Sequence, residues 1–355
     1  MANRTKISWT ERTWNPASGC DAASTGCQNC YAAAIAHRFA GTAAYPRGFE
    51  VTLHPQRLPD PLRWRQPTVL FVGSMTDVFH PRIPTPYLVE VFAVMAATGR
   101  HTFQLLTKRP ARAAALLRDD RFAGDVTRRA RALHPDAETD RWPLPNVWLG
   151  TSVENQHWAQ RRIPTLLSAP AQRHYVSAEP LLGPVDLTPW LRPAHTVACC
   201  TNPALEWVIV GGESGPRARG MDLAWAARLV EQCTAAAVPV WVKQLGTVLA
   251  RRLGTNSYAG DRIEELPPDL RHQQRPPVGP PSGVHPELQL PRPFRPGDRV
   301  QWNPTGDTWK PATVGQASPG CPVLIVLDDN EQAMHVRPEH LRPCDDTKAE
   351  GDPTP

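Results

Sequence analysis

Six continuous apolar runs recur roughly every 25 to 45 residues: TVLFVGS (68–74), HTFQLLT (101–107), VWLGTS (147–152), HYVSAE (174–179), WVIVGGE (207–213) and VPVWVKQ (238–244). They are rich in Val, Ile, Leu and aromatic residues and short enough to be strands buried on both faces. Between several of them lie segments with helical spacing, such as PYLVEVFAVMAATG and DLAWAARLVEQCTAAAV. This βα rhythm predicts an α/β fold with a parallel sheet, most economically a partial or complete (β/α) barrel. A doubly wound open sheet has the same periodicity and stays open as an alternative.

The pattern changes at Pro267. Residues 267–296 hold ten prolines in thirty positions, which disfavours helix and sheet and predicts a stiff extended linker. Beyond it, GDRVQW, KPATVGQ, CPVLIVLDD and QAMHVRPEHLRP are short β-type runs broken by Gly, Pro, Asn and Asp, the pattern of a small all-β SH3-like barrel. The expected organisation is a barrel domain over 1–266, a linker over 267–296, a small β domain over 297–345 and a disordered tail over 346–355.

Composition narrows the setting. At 355 residues and 41% apolar the chain can bury a large core, and no segment reaches the ~20 apolar residues that span a bilayer. The first residues lack the apolar stretch of a signal peptide, so a cytoplasmic location is expected, with the eight cysteines as thiols or metal ligands rather than disulfides. A net charge of +5 is too small to argue for a nucleic-acid partner by itself.

Candidate chemistry gathers where the runs end: Ser74, Thr76 and Asp77; Thr107, Lys108 and Arg109; Ser152 and Glu154; Ser177 and Glu179; Gly211, Gly212 and Glu213; Lys243 and Gln244. In parallel βα folds the C-terminal strand ends share one mouth, where binding and catalytic groups converge. Polar residues also simply begin loops, and the glutamates could be buried partners of Lys108, Arg109 or Lys243. The cations of this chain are mostly Arg. Only Lys6, Lys108 and Lys243 precede the proline-rich segment, and two of these stand at run ends, a mild sign of specific chemistry.

Cys20, Cys27 and Cys30 form C-x6-C-x2-C directly before the helix-like YAAAIAHRFAG. A structural zinc would need a fourth ligand, for which His37, Cys199, Cys200 and Cys233 are available at no persuasive spacing. Three thiolates suit a four-iron four-sulfur cluster with one iron left open to a cofactor. Packing thiols are the third reading, and Cys233, inside a helical pattern, is expected to be one.

The segments TWNPASGC, GCQNCYA, VTLHPQRL, FVGSMTDVFH, HTFQLLTKRP, PNVWLGTSVEN, VSAEPLLGPVDL, WVIVGGESGPRAR and VPVWVKQ together resemble the three-Cys-motif phage and mobile-element proteins, over roughly residues 4–266. That family is in turn similar to radical S-adenosylmethionine enzymes of the spore-photoproduct-lyase type. The first cysteine gap is six residues where such enzymes commonly have three, and Leu245 stands where relatives usually carry Trp.

The resemblance implies a barrel of radical-enzyme type. Cys20, Cys27 and Cys30 would hold the cluster, and S-adenosylmethionine would be cleaved to a 5'-deoxyadenosyl radical with an external electron donor. Ser74, Thr76 and Asp77 would serve the methionine end of the cofactor, Thr107 would also contact the cofactor, Ser152 and Glu154 would meet its ribose, and Tyr31 would pack near its adenine or serve as a core aromatic at a helix start. Lys108, Glu179, Glu213 and Lys243 would face the substrate, and Gly211 and Gly212 would allow a ligand close to the backbone. A nucleic-acid base or nucleotide as substrate is an analogy from the lyases, and the C-terminal domain could recruit a nucleic acid or a protein. The competing class is a non-enzymatic binding protein stabilised by zinc or an iron-sulfur cluster.

Overall fold

The computed structural model describes residues 5–135, 137, 141–191 and 203–278, and beyond them the strands within 299–343. Every apolar run becomes a strand in its expected place: β4 (Val69–Val72), β5 (Thr102–Thr107), β6 (Val147–Ser152), β7 (Arg173–Ala178), β8 (Leu205–Gly211) and β9 (Val240–Gln244). A seventh strand, β1 (Arg12–Trp14), pairs parallel with β4; three residues are too few to leave a pattern in the sequence. A short antiparallel pair, β2 (Ala17–Ser18) and β3 (Thr52–Leu53), stands apart from this sheet.

The sheet is entirely parallel and its order is β1-β4-β5-β6-β7-β8-β9, the order of the chain. A doubly wound sheet reverses its strand order at a switch point. This one does not, and its end strands β1 and β9 do not pair with each other, so the architecture is a seven-stranded half-barrel.

Strand residues alternate between two cores, as a period of two requires. Leu70, Val72, Leu105, Leu149, Val176, Val208 and Val242 belong to the core shared with the helices α3 (Thr85–Ala97), α4 (Pro110–Leu117), α5 (Asp120–Leu133), α6 (Gln156–Leu167) and α7 (Leu223–Ala235). The other face carries an aromatic cluster of Trp9, Phe71, Trp148, Tyr175 and Trp207, with Ile209. Ring centroids there lie 4.7 Å apart for Trp9 and Phe71 and 5.4 Å for Tyr175 and Trp207. Tyr175 lies across β6 at Gly150, where a Cβ would stand 2.4 Å from its Cζ.

Both ends of this unit meet at the open seam. Ser8 Oγ accepts from Trp241 Nε1 at 3.2 Å, and Glu11 pairs with Arg275 at 3.7 Å. The segment expected to open the linker instead covers the edge of β9. The Val242 N–H donates to His272 O at 2.7 Å, the Gln274 N–H to Val240 O at 3.0 Å, and Trp207 Nε1 to Gln274 O at 2.9 Å, while Leu270 is buried. Proline content hid this because Leu270 to Gln274, the part that bonds, contains none.

The chain divides into two compact units, the second consisting chiefly of residues 283–355. There the β-type runs form an antiparallel sheet of β10 (Arg299–Trp302), β11 (Lys310–Gln316), β12 (Val323–Leu327), β13 (Ala333–Val336) and β14 (Leu341–Pro343), in the order β13-β12-β11-β10-β14. The expected tail, 346–355, lies outside the described residues. Among the described residues no helix is long and apolar enough to cross a membrane.

Candidate active site at the strand ends

The aromatic face continues upward into polar residues of the same parity. Gln104 and Leu106 lead to Lys108, Trp148 and Gly150 to Ser152, Tyr175 and Ser177 to Glu179, and Trp241 to Lys243. Side chains two residues apart share a face, so an aromatic floor and a polar mouth follow from one alternation. Above the floor opens a cavity of about 430 Å³ with Trp9, Phe71 and Leu106 beneath it.

Cys20, Cys27 and Cys30 all line this cavity, unbridged and partly exposed. Gly19 turns the chain into their loop at φ +88°, against the backbone of Glu50, where a Cβ would lie 2.2 Å from the carbonyl oxygen. A single 3-10 turn, Thr25–Cys27, follows, and Cys30 precedes α1 (Tyr31–Arg38). Cys27 Sγ accepts the Ala23 N–H at 3.4 Å, and Cys20 Sγ accepts from Arg109 Nη1 at 3.5 Å. Burial raises the Cys20 thiol above its ordinary pKa, and nearby Asp77 adds to this while Arg109 opposes it.

Among the described residues no three His, Cys, Asp or Glu side chains converge as a single ion requires. His37 is exposed on α1 and outside the cavity; Cys233 is buried in α7, its thiol pushed up to about 12 by burial. Cys199 and Cys200 lie outside the described residues. Thiolates around one zinc would stand about 3.8 Å apart on a tetrahedron of ~2.3 Å bonds. Cluster thiolates each bind a different iron and stand further apart. The three thiols line one cavity unbridged and are available as ligands.

The other candidates divide. Ser74, Thr76, Asp77, Thr107, Lys108, Ser152, Glu179, Gly212, Glu213 and Lys243 line the same cavity as the cysteines; Glu154 and Gly211 do not. Several of the lining groups are engaged. Asp77 Oδ1 accepts from Thr107 Oγ1 at 2.7 Å and the Phe79 N–H at 3.0 Å. Its Oδ2 accepts from Arg109 Nη1 at 2.9 Å and the Lys108 N–H at 3.0 Å. Thr76 Oγ1 donates to Gly19 O at 2.6 Å, and Asn15 Nδ2 to Ser74 Oγ at 3.0 Å. The Thr-Asp pair thus ties β4, β5 and the cysteine loop together.

Glu154 is fully buried, Oε1 held by Lys108 and Ser24 and Oε2 by Arg162, so the ribose role expected of it meets a carboxylate already bonded at both oxygens. Glu179 pairs with Lys243 across β8, and Gly211 makes room, since its Cβ would be 3.3 Å from Glu179 Cδ. Gly212 packs on the Leu245 carbonyl, 2.1 Å from where a Cβ would be. Both glycines admit protein atoms, and Gly212 also lines the cavity. Glu213 would be raised by its burial, but hydrogen bonds from Arg219 and Asn29 outweigh this and hold it below the ordinary range.

Tyr31 lines the cavity half-exposed and donates to Ser74 O at 2.7 Å. All three lysines of the first unit, Lys6 included, line the cavity. Sequence reasoning left out Arg162 and Arg219, because in an Arg-rich chain nothing marks a structural arginine. Their only signal was spacing, eight residues after Glu154 and six after Glu213.

Fold and site together define a half-barrel α/β protein with a three-cysteine loop at the mouth of its strands. The chain belongs to the family described as "Protein of unknown function (DUF5131)", whose model matches residues 4–276. It is similar to solved structures of two single-substitution variants of spore photoproduct lyase, at 13% and 11% identity and a TM-score of 0.32 each. These cover 51% and 59% of this chain. The chain spans about half the length of those structures, 48% and 58%. No curated protein matches it.

Proposed function

We propose that this protein is a radical S-adenosylmethionine enzyme whose Cys20, Cys27 and Cys30 hold a four-iron four-sulfur cluster. The observation that supports this reading is the convergence of three unbridged thiols and six strand ends on one cavity. When bound, the cluster would supply reductive cleavage of S-adenosylmethionine to a 5'-deoxyadenosyl radical.

The chain's own part is to bind, orient and shield. Arg109 links Cys20 to Asp77, placing a cation beside the sulfur. Ser152 and Ser177 present hydroxyls from β6 and β7, and the Lys243–Glu179 pair offers an ammonium and a carboxylate to a polar substrate group. Trp9, Phe71 and Leu106 keep water from the floor. The substrate class, a nucleic-acid base or nucleotide, stays an analogy with the lyases.

Anaerobic reconstitution tests the reading. The expected outcome is iron bound with broad absorbance near ~400 nm, and 5'-deoxyadenosine released on reduction with S-adenosylmethionine. Cys27→Ala should lose the iron and keep its far-ultraviolet circular dichroism, while Cys233→Ala should keep both. Zinc without iron in anaerobically purified protein would favour the binding-protein reading, for which Asp77, Glu154 and Glu213, engaged internally, are the supporting observation.

A further inference from the structure

The stretch from Cys20 to Cys30 contains one 3-10 turn and no strand, so its own backbone does little to fix its path. Its fixed points come from the barrel. Ser24 Oγ donates to Glu154 Oε1 at 2.6 Å, and Gly26 lies against the same side chain, where a Cβ would stand 2.5 Å from Glu154 Cγ. Further along, Asn29 Nδ2 donates to Glu213 Oε2 at 3.0 Å and to Arg217 O at 2.8 Å, and Arg219 Nη1 donates to Gln28 Oε1 at 2.9 Å.

Each carboxylate is braced from behind. Glu154 is gripped by Lys108 and by Arg162, whose guanidinium lies 4.0 Å over the Trp158 ring. Glu213 is held by Arg219 through Nη2 at 2.6 Å, Nε at 3.0 Å and the backbone N–H at 2.8 Å. We propose that Glu154 and the Glu213–Arg219 pair are positioning residues for the three-thiol loop, fixing its course across the barrel mouth before any metal is bound. The proposal rests on reading the three cysteines as ligands, but concerns the metal-free chain.

Burial carries the argument. A carboxylate closed off from water between two cations is costly to bury and is not needed for a solvent-facing ligand contact. Both Glu154 oxygens are turned to protein donors, one of them on the loop itself. The bare Gly26 lets the loop settle on that carboxylate at a distance no other residue allows. A loop ordered in advance spares the metal the entropy of ordering it, the general benefit of preorganisation.

The test uses the full-length, reduced, metal-free protein and maps iodoacetamide alkylation of Cys20, Cys27 and Cys30 by mass spectrometry, with buried Cys233 as internal reference. Ser24→Ala and Asn29→Ala remove only the loop side of each contact and leave both carboxylates with their cations. Each is expected to speed alkylation of the loop thiols about tenfold relative to Cys233, the scale of one hydrogen bond to a charged group. Gly26→Ala should act likewise by collision with the Glu154 side chain.

Loop thiols that react at the parental rate in all three single variants would overturn the proposal. So would an equal rise at Cys233, which signals general loosening. Iron content after reconstitution of the same proteins is a separate readout: thiols protected as expected in a chain that binds no iron would refute the cluster and leave the positioning role standing.

Discussion

Two neighbouring glycines separate kinds of space at the residue scale. Gly211 faces a side chain that can shift by a few tenths of an ångström, whereas Gly212 faces the backbone of Leu245 and Gly246, which cannot. Gly211→Ala is therefore expected to leave thermal stability nearly unchanged and to disturb the Glu179–Lys243 pair. Gly212→Ala should destabilise by at least the ~1–3 kcal/mol typical of overpacking. Urea denaturation of both variants checks this, and equal losses would show that the backbone around Gly212 yields. The presence of glycine at these positions was legible in the sequence; what fills the space was not, because packing is a property of strands that meet only after folding.

At the scale of elements, the strands were readable almost to the residue, since all but β9 bury nearly every residue on both faces and so leave an apolar run. The three-residue β1 and the 272–274 segment were not, as their places depend on sheet edges that need covering rather than on their own patterns. The polar mouth was readable from the two-residue period, and so was the option of glutamates paired with Lys108 or Lys243, but the arginine partners of Glu154 and Glu213 were not. Strand ends also set a pH response. His101 between α3 and β5, and His174 on β7, are buried, and burial lowers both below the ordinary imidazole value. Each donates from Nε2 as a neutral ring, to Pro61 O at 3.1 Å and Ala169 O at 2.8 Å. With the folded pKa depressed, their contribution is complete above the unfolded value near ~6.5 and fades as pH falls through it toward the folded value. Thermal midpoints should therefore drop between about pH 7 and pH 5, and a His101→Gln/His174→Gln variant should show a flatter slope. An unchanged slope would assign acid sensitivity to other groups.

For the whole molecule, the useful division falls later than Pro267. A chain ending at residue 278 keeps Leu270, the bonds to Val240 and Val242 and the partner of the Trp207 indole, and is expected to fold and bind iron like the full chain. One ending at residue 266 loses all of these and bares the edge of β9, so a lower thermal midpoint and aggregation are expected on light scattering. Should the two behave alike, the edge covering contributes nothing to stability. The proline count located the change of composition correctly and the change of structure about ten residues early, because rigidity of the backbone says nothing about whether a segment is docked.

The seam where residues 8 and 11 meet residues 241 and 275 has a consequence in time. The three thiols are made about 245 residues before Arg275 closes the seam of their unit with Glu11. At synthesis rates of ~5–20 residues per second, that leaves the thiols in an unclosed unit for roughly 12–50 s on the ribosome. During that interval oxidants and stray metal ions have freer access to the sulfurs than after closure, so the redox state of the medium in which this chain is translated bears directly on how many molecules reach the folded state with all three thiols intact.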